Sequence, residues 1–226
     1  MSPSHLHRLL WAACLAWAVT ACTPGAAGDA GRNVAQAGPG QGARGTTPVD
    51  PDLDRAKAAA QAFSGRLRGR LQAAMQAGGP TAAVEVCHAE APAIADAVMA
   101  EHGVRLGRVA LPGRNRNPGQ AADGWQRATL EAFQQAVRAG APAAEQVSVV
   151  RQRLPEGVAL RLMRGIATEP GCLACHGTRV APAVRAAIAA HYPEDAATGF
   201  AVGDLRGGLW VEVPATAAHI PHEATP

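Results

Sequence analysis

Cys172, Cys175 and His176 stand together as Cys172-Leu173-Ala174-Cys175-His176. Each group in that run has a chemical task. Two thiols three positions apart can add to the two vinyl groups of one porphyrin, and the imidazole that follows is then held under the iron as an axial ligand. C-x-x-C-H is the attachment pattern of a c-type haem. Histidine on one side leaves the opposite axial position open, and its occupant largely decides what the iron does. A C-x-x-C pair also serves thiol–disulfide exchange or half of a zinc site. A zinc site wants a second Cys/His pair at ligand spacing, and the sequence has none. A redox pair should open a helix after a strand, which the flanking Gly171 and Gly177 oppose. The pattern therefore predicts one covalent haem c on Cys172, Cys175 and His176.

That chemistry belongs to exported proteins, and the N-terminus reads as an export signal. Arg8 supplies a positive start, and Leu9 to Val19 an apolar run too short to span a bilayer. Val19-Thr20-Ala21-Cys22 then resembles a lipoprotein processing site, so residues 1–21 are expected to leave and Cys22 to carry lipid. Plain secretion with cleavage near Ala21 is the alternative. Cys14 competes poorly, because Trp11 stands where an aliphatic residue should be. More than one acyl chain makes a stable anchor. Thr23, in place of an inner-membrane retention Asp, favours the periplasmic side of the outer membrane.

Residues 22–51 are mostly Gly, Ala, Pro, Gln and Thr and read as a flexible tether. Residues 52–214 form one domain, and 215–226 a disordered tail. The net charge of +3 is small and its arginines are dispersed without aromatic neighbours, so nucleic acid is not expected as a partner. Expected partners are the membrane, through the lipid, and a periplasmic redox or signalling protein.

Of the five cysteines, Cys87 alone is left without a task. Val84, Cys87, Ala91, Ile94 and Val98 recur at helical spacing and turn Cys87 inward. It is either a small buried hydrophobe or the second iron ligand. His88 is the rival ligand, pointing about 100° away on a helix, and Met99 and Met163 are weaker rivals. Pro92 argues for a break or a fresh helix start nearby.

Apolar spacing predicts a long helix from Leu53 to Met75, ended by Gly78-Gly79-Pro80. The Cys87 helix follows, ended by Gly103. Then come a strand at Val104–Leu111, a loop at Arg114–Gly124 and a helix at Trp125–Arg138. Strands are expected at Val147–Val150, Val158–Ile166 and Leu209–Val213, with a short helix at Val180–His191. Helices first and strands later suggest α+β with an antiparallel sheet. In the loop, Arg116 and Asn117 are candidate cofactor-binding residues facing haem propionates, with a solvated loop as the alternative; Arg206 has the same status. Asp195 and Asp204 read as turn caps, Trp125 and Trp210 as core, and His191, His219 and His222 as surface residues.

Four segments in order resemble a family of single-haem c-type domains with a PAS-like fold, found alone in the periplasm or fused to sensor kinases. They are Ala83-Val84-Glu85-Val86-Cys87-His88-Ala89-Glu90-Ala91-Pro92-Ala93-Ile94-Ala95, then Arg116-Asn117-Pro118 with Asp123 and Trp125, then the haem motif, and last Tyr192-Pro193-Glu194-Asp195-Ala196-Ala197-Thr198-Gly199-Phe200 with Gly203-Asp204-Leu205-Arg206-Gly207-Gly208. Gln120 and Gln126 depart from the family pattern. The resemblance implies a PAS-like antiparallel sheet with an N-terminal helical region and flanking helices. It also implies Cys87 as distal ligand opposite His176. The expected function is a membrane-tethered periplasmic cytochrome that senses redox state or a small gas; an electron carrier is the alternative. An enzyme is disfavoured, since no acid/base pair or substrate motif is evident.

Overall fold

The computed structural model of the protein describes residues 50–215. The predicted signal peptide, Cys22, most of the tether and the tail with His219 and His222 lie outside the described residues.

Helix α1, Pro51–Glu85, starts where its sequence tells it to. The Asp50 carboxylate accepts the Leu53 N–H at 3.0 Å, and Pro51 occupies the first turn. Its stripe of Ala56, Ala60, Phe63 and Leu67 is buried. At Gly79 the backbone leaves helical geometry (φ +70°, ψ −163°), as the Gly-Gly-Pro run predicts. The chain does not enter a loop there. Pro80 opens a new helical stretch, because its fixed φ suits a first turn and its missing N–H is not needed there.

Residues Val86–Glu90 form one wide π turn, in which the Ala91 N–H reaches back to the Val86 carbonyl. Helix α2, Ala91–His102, then runs to Gly103 in the left-handed region at φ +58°. Pro92 accounts for the wide turn. It has no N–H for the carbonyl four residues back, and its ring crowds that carbonyl, so an unbroken α ladder is disfavoured. Cys87 lies in this turn.

The remaining core is a four-stranded antiparallel sheet of β1 Arg105–Val109, β2 Val147–Val150, β3 Val158–Ala167 and β4 Leu205–Pro214, in the order β1-β4-β3-β2. Leu106, Val211, Leu162 and Val149 lie abreast across all four strands and pack with the α1 stripe. The next row, Gly107, Trp210, Met163 and Ser148, faces the other way. There Met163 and Trp210 pack with Leu130 and Phe133 of α3, Gly124–Arg138. The expected α+β class with an antiparallel sheet is observed, with helices on both faces.

Two strands differ from expectation by more than one residue. β1 is shorter than Val104–Leu111, and β4 begins at Leu205 rather than Leu209. Gly207 and Gly208 hid that start, since glycine carries no side-chain alternation. They are needed there: a Cβ on Gly207 would stand 2.2 Å from the Val109 carbonyl oxygen, so β4 passes hard against the end of β1.

Gly79 meets no neighbouring atom within 4 Å of a built Cβ, so its substitution tests backbone conformation alone. Gly79→Ala is expected to cost about 1–3 kcal/mol. Urea unfolding should show a lower midpoint at unchanged slope.

Candidate functional site

The C-x-x-C-H run follows β3 closely. A 3-10 turn, Pro170–Cys172, leads into the single-turn helix α4, Leu173–His176. The flanking glycines were expected to oppose a helix, yet a helical turn forms, and its length explains why. Gly177 carries the chain back over the turn, where a Cβ would lie 2.7 Å from the Leu173 carbonyl oxygen. The helix therefore stops directly after His176. Glu169 anchors the other side: its N–H donates to Cys172 Sγ at 3.4 Å, and its carboxylate takes both terminal nitrogens of Arg68 on α1 at 3.0 Å each. Cys87, Cys172 and Cys175 are free thiols, all half-buried. Among the described residues no group of three or more His, Cys, Asp and Glu could hold a bare metal ion.

His176 is held by its backbone and its ring. Its carbonyl accepts the Phe200 N–H at 3.0 Å, and the Phe200 ring stands edge-on to the imidazole at 6.3 Å between centroids. Nδ1 lies 2.7 Å from the Ala197 carbonyl oxygen. A carbonyl only accepts, so Nδ1 carries the proton and Nε2 keeps the lone pair. Burial, with the charges of Arg206 and Arg116, pushes the pKa of His176 down to about 3. The ring is thus neutral at physiological pH and presents Nε2 as a donor. Metal-binding histidines are commonly oriented by such a bond from the other nitrogen.

Arg116 ties the site together. Its Nη2 donates to the Cys175 carbonyl at 2.7 Å, and its Nε to Asp195 Oδ1 at 3.1 Å. Asp195 also accepts the Ala197 N–H at 3.0 Å, and the Ala196 N–H donates to the Asn115 carbonyl at 3.0 Å. Three distant segments thereby close on one another: the Arg-Asn-Pro loop, the C-x-x-C-H turn and the stretch from Tyr192 to Phe200. One expectation is extended. Asp195 caps a turn as expected, but it is also half of a buried ion pair, with side chains 9% and 11% exposed. Arg116, read as a propionate ligand, gives its Nε and Nη2 to protein groups and so supports the motif. Asn117 is exposed, and its Oδ1 accepts the Gly119 N–H at 2.9 Å as the cap of a short 3-10 turn, so its role is local.

Cys87 belongs to the same neighbourhood. Burial pushes the Cys175 thiol and the Tyr192 hydroxyl up, and Cys87 is close enough to both to add to the effect. The rival ligands are engaged elsewhere. His88 is exposed and stacks on His191 at 4.3 Å, with Tyr192 edge-on at 5.8 Å. His191, expected on the surface, is half-buried in that stack and its Nε2 meets Glu85 Oε1 at 2.5 Å. Met99 packs into the α1 side of the core and Met163 is wholly buried on the α3 side. Asp204 caps its turn through the Ala201 N–H at 2.8 Å, and Trp125 and Trp210 pack edge to face at 6.3 Å against the second core, both as expected.

Sequence reasoning missed Arg108. It lies on β1 and lines one cleft with Arg114, Arg116, Arg206, Ile166 and Ala197. The available signal was a cation inside a short strand, between Gly107 and Val109. The Ala197 carbonyl, which sets the tautomer of His176, left no signal, because any residue has one.

Breaking the Arg116–Asp195 pair from one side leaves a charge buried and unanswered. Asp195→Ala is expected to cost about 3–5 kcal/mol. The double change Arg116→Met with Asp195→Leu should recover part of that loss. Urea unfolding of the three chains measures both terms.

The Tll0287-like family model matches residues 49–214. No curated protein matches the chain. Among solved structures, the crystal structure of the cyanobacterial heme-protein Tll0287 is 32% identical, covering 57% of this chain and 71% of that one at a TM-score of 0.45. With the match running from the helix cap before α1 to the end of β4, the chain belongs to the Tll0287-like family.

Proposed function

We propose that this protein binds one haem c covalently and works as a membrane-tethered periplasmic sensor of redox state or of a small gas. The observation that carries the haem reading is the state of His176. Its Nδ1–H is committed to Ala197, its Nε2 is free of a proton, and two free thiols flank it on the same turn. The donor set fits a porphyrin with two vinyl groups and an iron in need of a neutral nitrogen. Family membership supports the reading, because the cyanobacterial Tll0287 is a heme-protein. The first strand pairs with the last inside an antiparallel sheet, which suits the PAS-like description.

In this reading Cys172 and Cys175 would hold the porphyrin through thioether bonds, and His176 and Cys87 would be the protein ligands of its iron. Bound there, the haem supplies a one-electron ferric/ferrous couple. Cys87 would bias that couple toward the ferric side, since a thiolate stabilises the higher charge. It would also be the ligand that yields, because a ferrous centre prefers a neutral donor. The π turn suits such a role: it interrupts the helical ladder at Cys87 and lets that side chain be aimed independently of the helices on either side.

The ligand assignment is tested by optical and EPR spectra of the ferric, haem-loaded protein. A low-spin thiolate signature is expected, and Cys87→Ala should abolish it while leaving the haem attached. A spectrum unmoved by Cys87→Ala overturns the assignment. A histidine or methionine signature at higher potential would turn the reading to electron transfer. The tether is tested by fractionation: Cys22→Ser should move the protein from membranes to the soluble periplasmic fraction.

A further inference from the structure

Several arginines of this domain stand in ion pairs. Arg68 meets Glu169, Arg70 meets Glu90, Arg116 meets Asp195 and Arg161 meets Glu212. Arg108 and Arg206 have no such partner, and unlike the exposed and equally unpaired Arg127, Arg138 and Arg179 they are half-buried. They line one cleft, and among the described residues neither stands in an ion pair. Arg206 Nε is buried without any hydrogen-bond partner, and Nη1 meets only the uncharged His176 Nε2 at 3.4 Å. The Arg108 guanidinium lies over the Phe63 ring at 5.8 Å, which is not an anion either.

Such an arrangement costs free energy. Two like charges half-buried in one cleft call for a counter-charge. The protein does not provide one among its described residues. The sheet fixes the backbone from which both side chains enter the cleft, since Arg206 directly precedes Gly207, where β4 passes against the end of β1.

We propose that Arg108 and Arg206 receive the two carboxylates of the porphyrin, one dianion answering two otherwise unanswered guanidiniums. The proposal rests on the haem reading above. Arginine suits the task because its planar fork pairs with a carboxylate through two parallel bonds. The assignment keeps Arg206, already a candidate, and adds Arg108 in place of Arg116, whose Nε and Nη2 are engaged by Asp195 and the Cys175 carbonyl. Arg114 lines the same cleft without an ion pair, but it is exposed and stacks over Phe200 at 3.9 Å, so water answers its charge.

The test compares two ligands on the full chain: ferric protoporphyrin IX and its dimethyl ester, which has no carboxylate charge. The wild-type chain should prefer the acid by at least about tenfold per carboxylate, the ratio that 1.4 kcal/mol corresponds to. Arg108→Gln and Arg206→Gln should each remove about half of that preference on a logarithmic scale, and the double variant nearly all of it. Arg114→Gln should retain it. Without ligand, Arg206→Gln should melt no lower than wild type, because it removes an unanswered charge; a lower melting temperature counts against the proposal. Equal binding of acid and ester by wild type overturns it without any variant, while leaving the haem reading intact. A preference that survives in the double variant also overturns it. Failure of both ligands to bind sinks the haem reading, and this proposal with it.

Discussion

The buried ion pair of Arg116 and Asp195 is the constraint on which the site depends. It adds side-chain direction to the backbone bonds from Phe200 to His176 and from Ala196 to Asn115 that join the same segments. One guanidinium reaches the carbonyl of the motif's second cysteine, and the carboxylate it pairs with holds the N–H of Ala197. The carbonyl of that same Ala197 fixes the His176 ring. The proton position on His176 is therefore set by a chain of bonds that begins in a loop sixty residues earlier. Buried pairs of this kind often add little net stability over an apolar replacement. What this pair contributes is direction, because a guanidinium fork and a carboxylate meet well in few geometries.

Around that pair, the architecture decides what each side chain can do. The sheet uses one face for α1 and the other for α3, which leaves its β1–β4 end to meet the C-x-x-C-H turn. Glycines make the approach possible. Gly177 lets the chain fold back over α4, and Gly207 lets β4 pass against β1. At both places a methyl group would collide with a carbonyl oxygen of the backbone, which has no rotamer with which to move aside.

The π turn solves a different problem. Pro92 cannot sit in an unbroken α ladder, and the wide turn upstream of it accommodates the lost bond. Its consequence is chemical. The turn separates neighbours: Cys87 is set near Cys175, while His88 is carried outward to stack on His191. Two adjacent residues, equally plausible as ligands on an ideal helix, thus end in different surroundings.

Much of this was legible in the chain itself. Periodicity located α1 and the Cys87 helix, and the glycines at 79 and 103 marked real changes of backbone direction. The C-x-x-C-H spacing is local chemistry and survives any tertiary arrangement. Other features were out of reach for physical reasons. Strand β4 begins on glycines that carry no pattern, and the helical turn at the motif depends on a backbone clash that spacing does not reveal. The protein partner of Arg116 was hidden because an arginine in a polar loop looks the same whether its partner is a ligand or an aspartate 79 positions away. Arg108 was passed over because only the sheet brings it to the same cleft as Arg206. The sequence alone determined which groups could do the chemistry, since covalent attachment and ligation follow from residue type and short spacing. The tertiary structure alone decided which charges are answered and which are not, because counter-charges come from contacts between segments far apart in the chain.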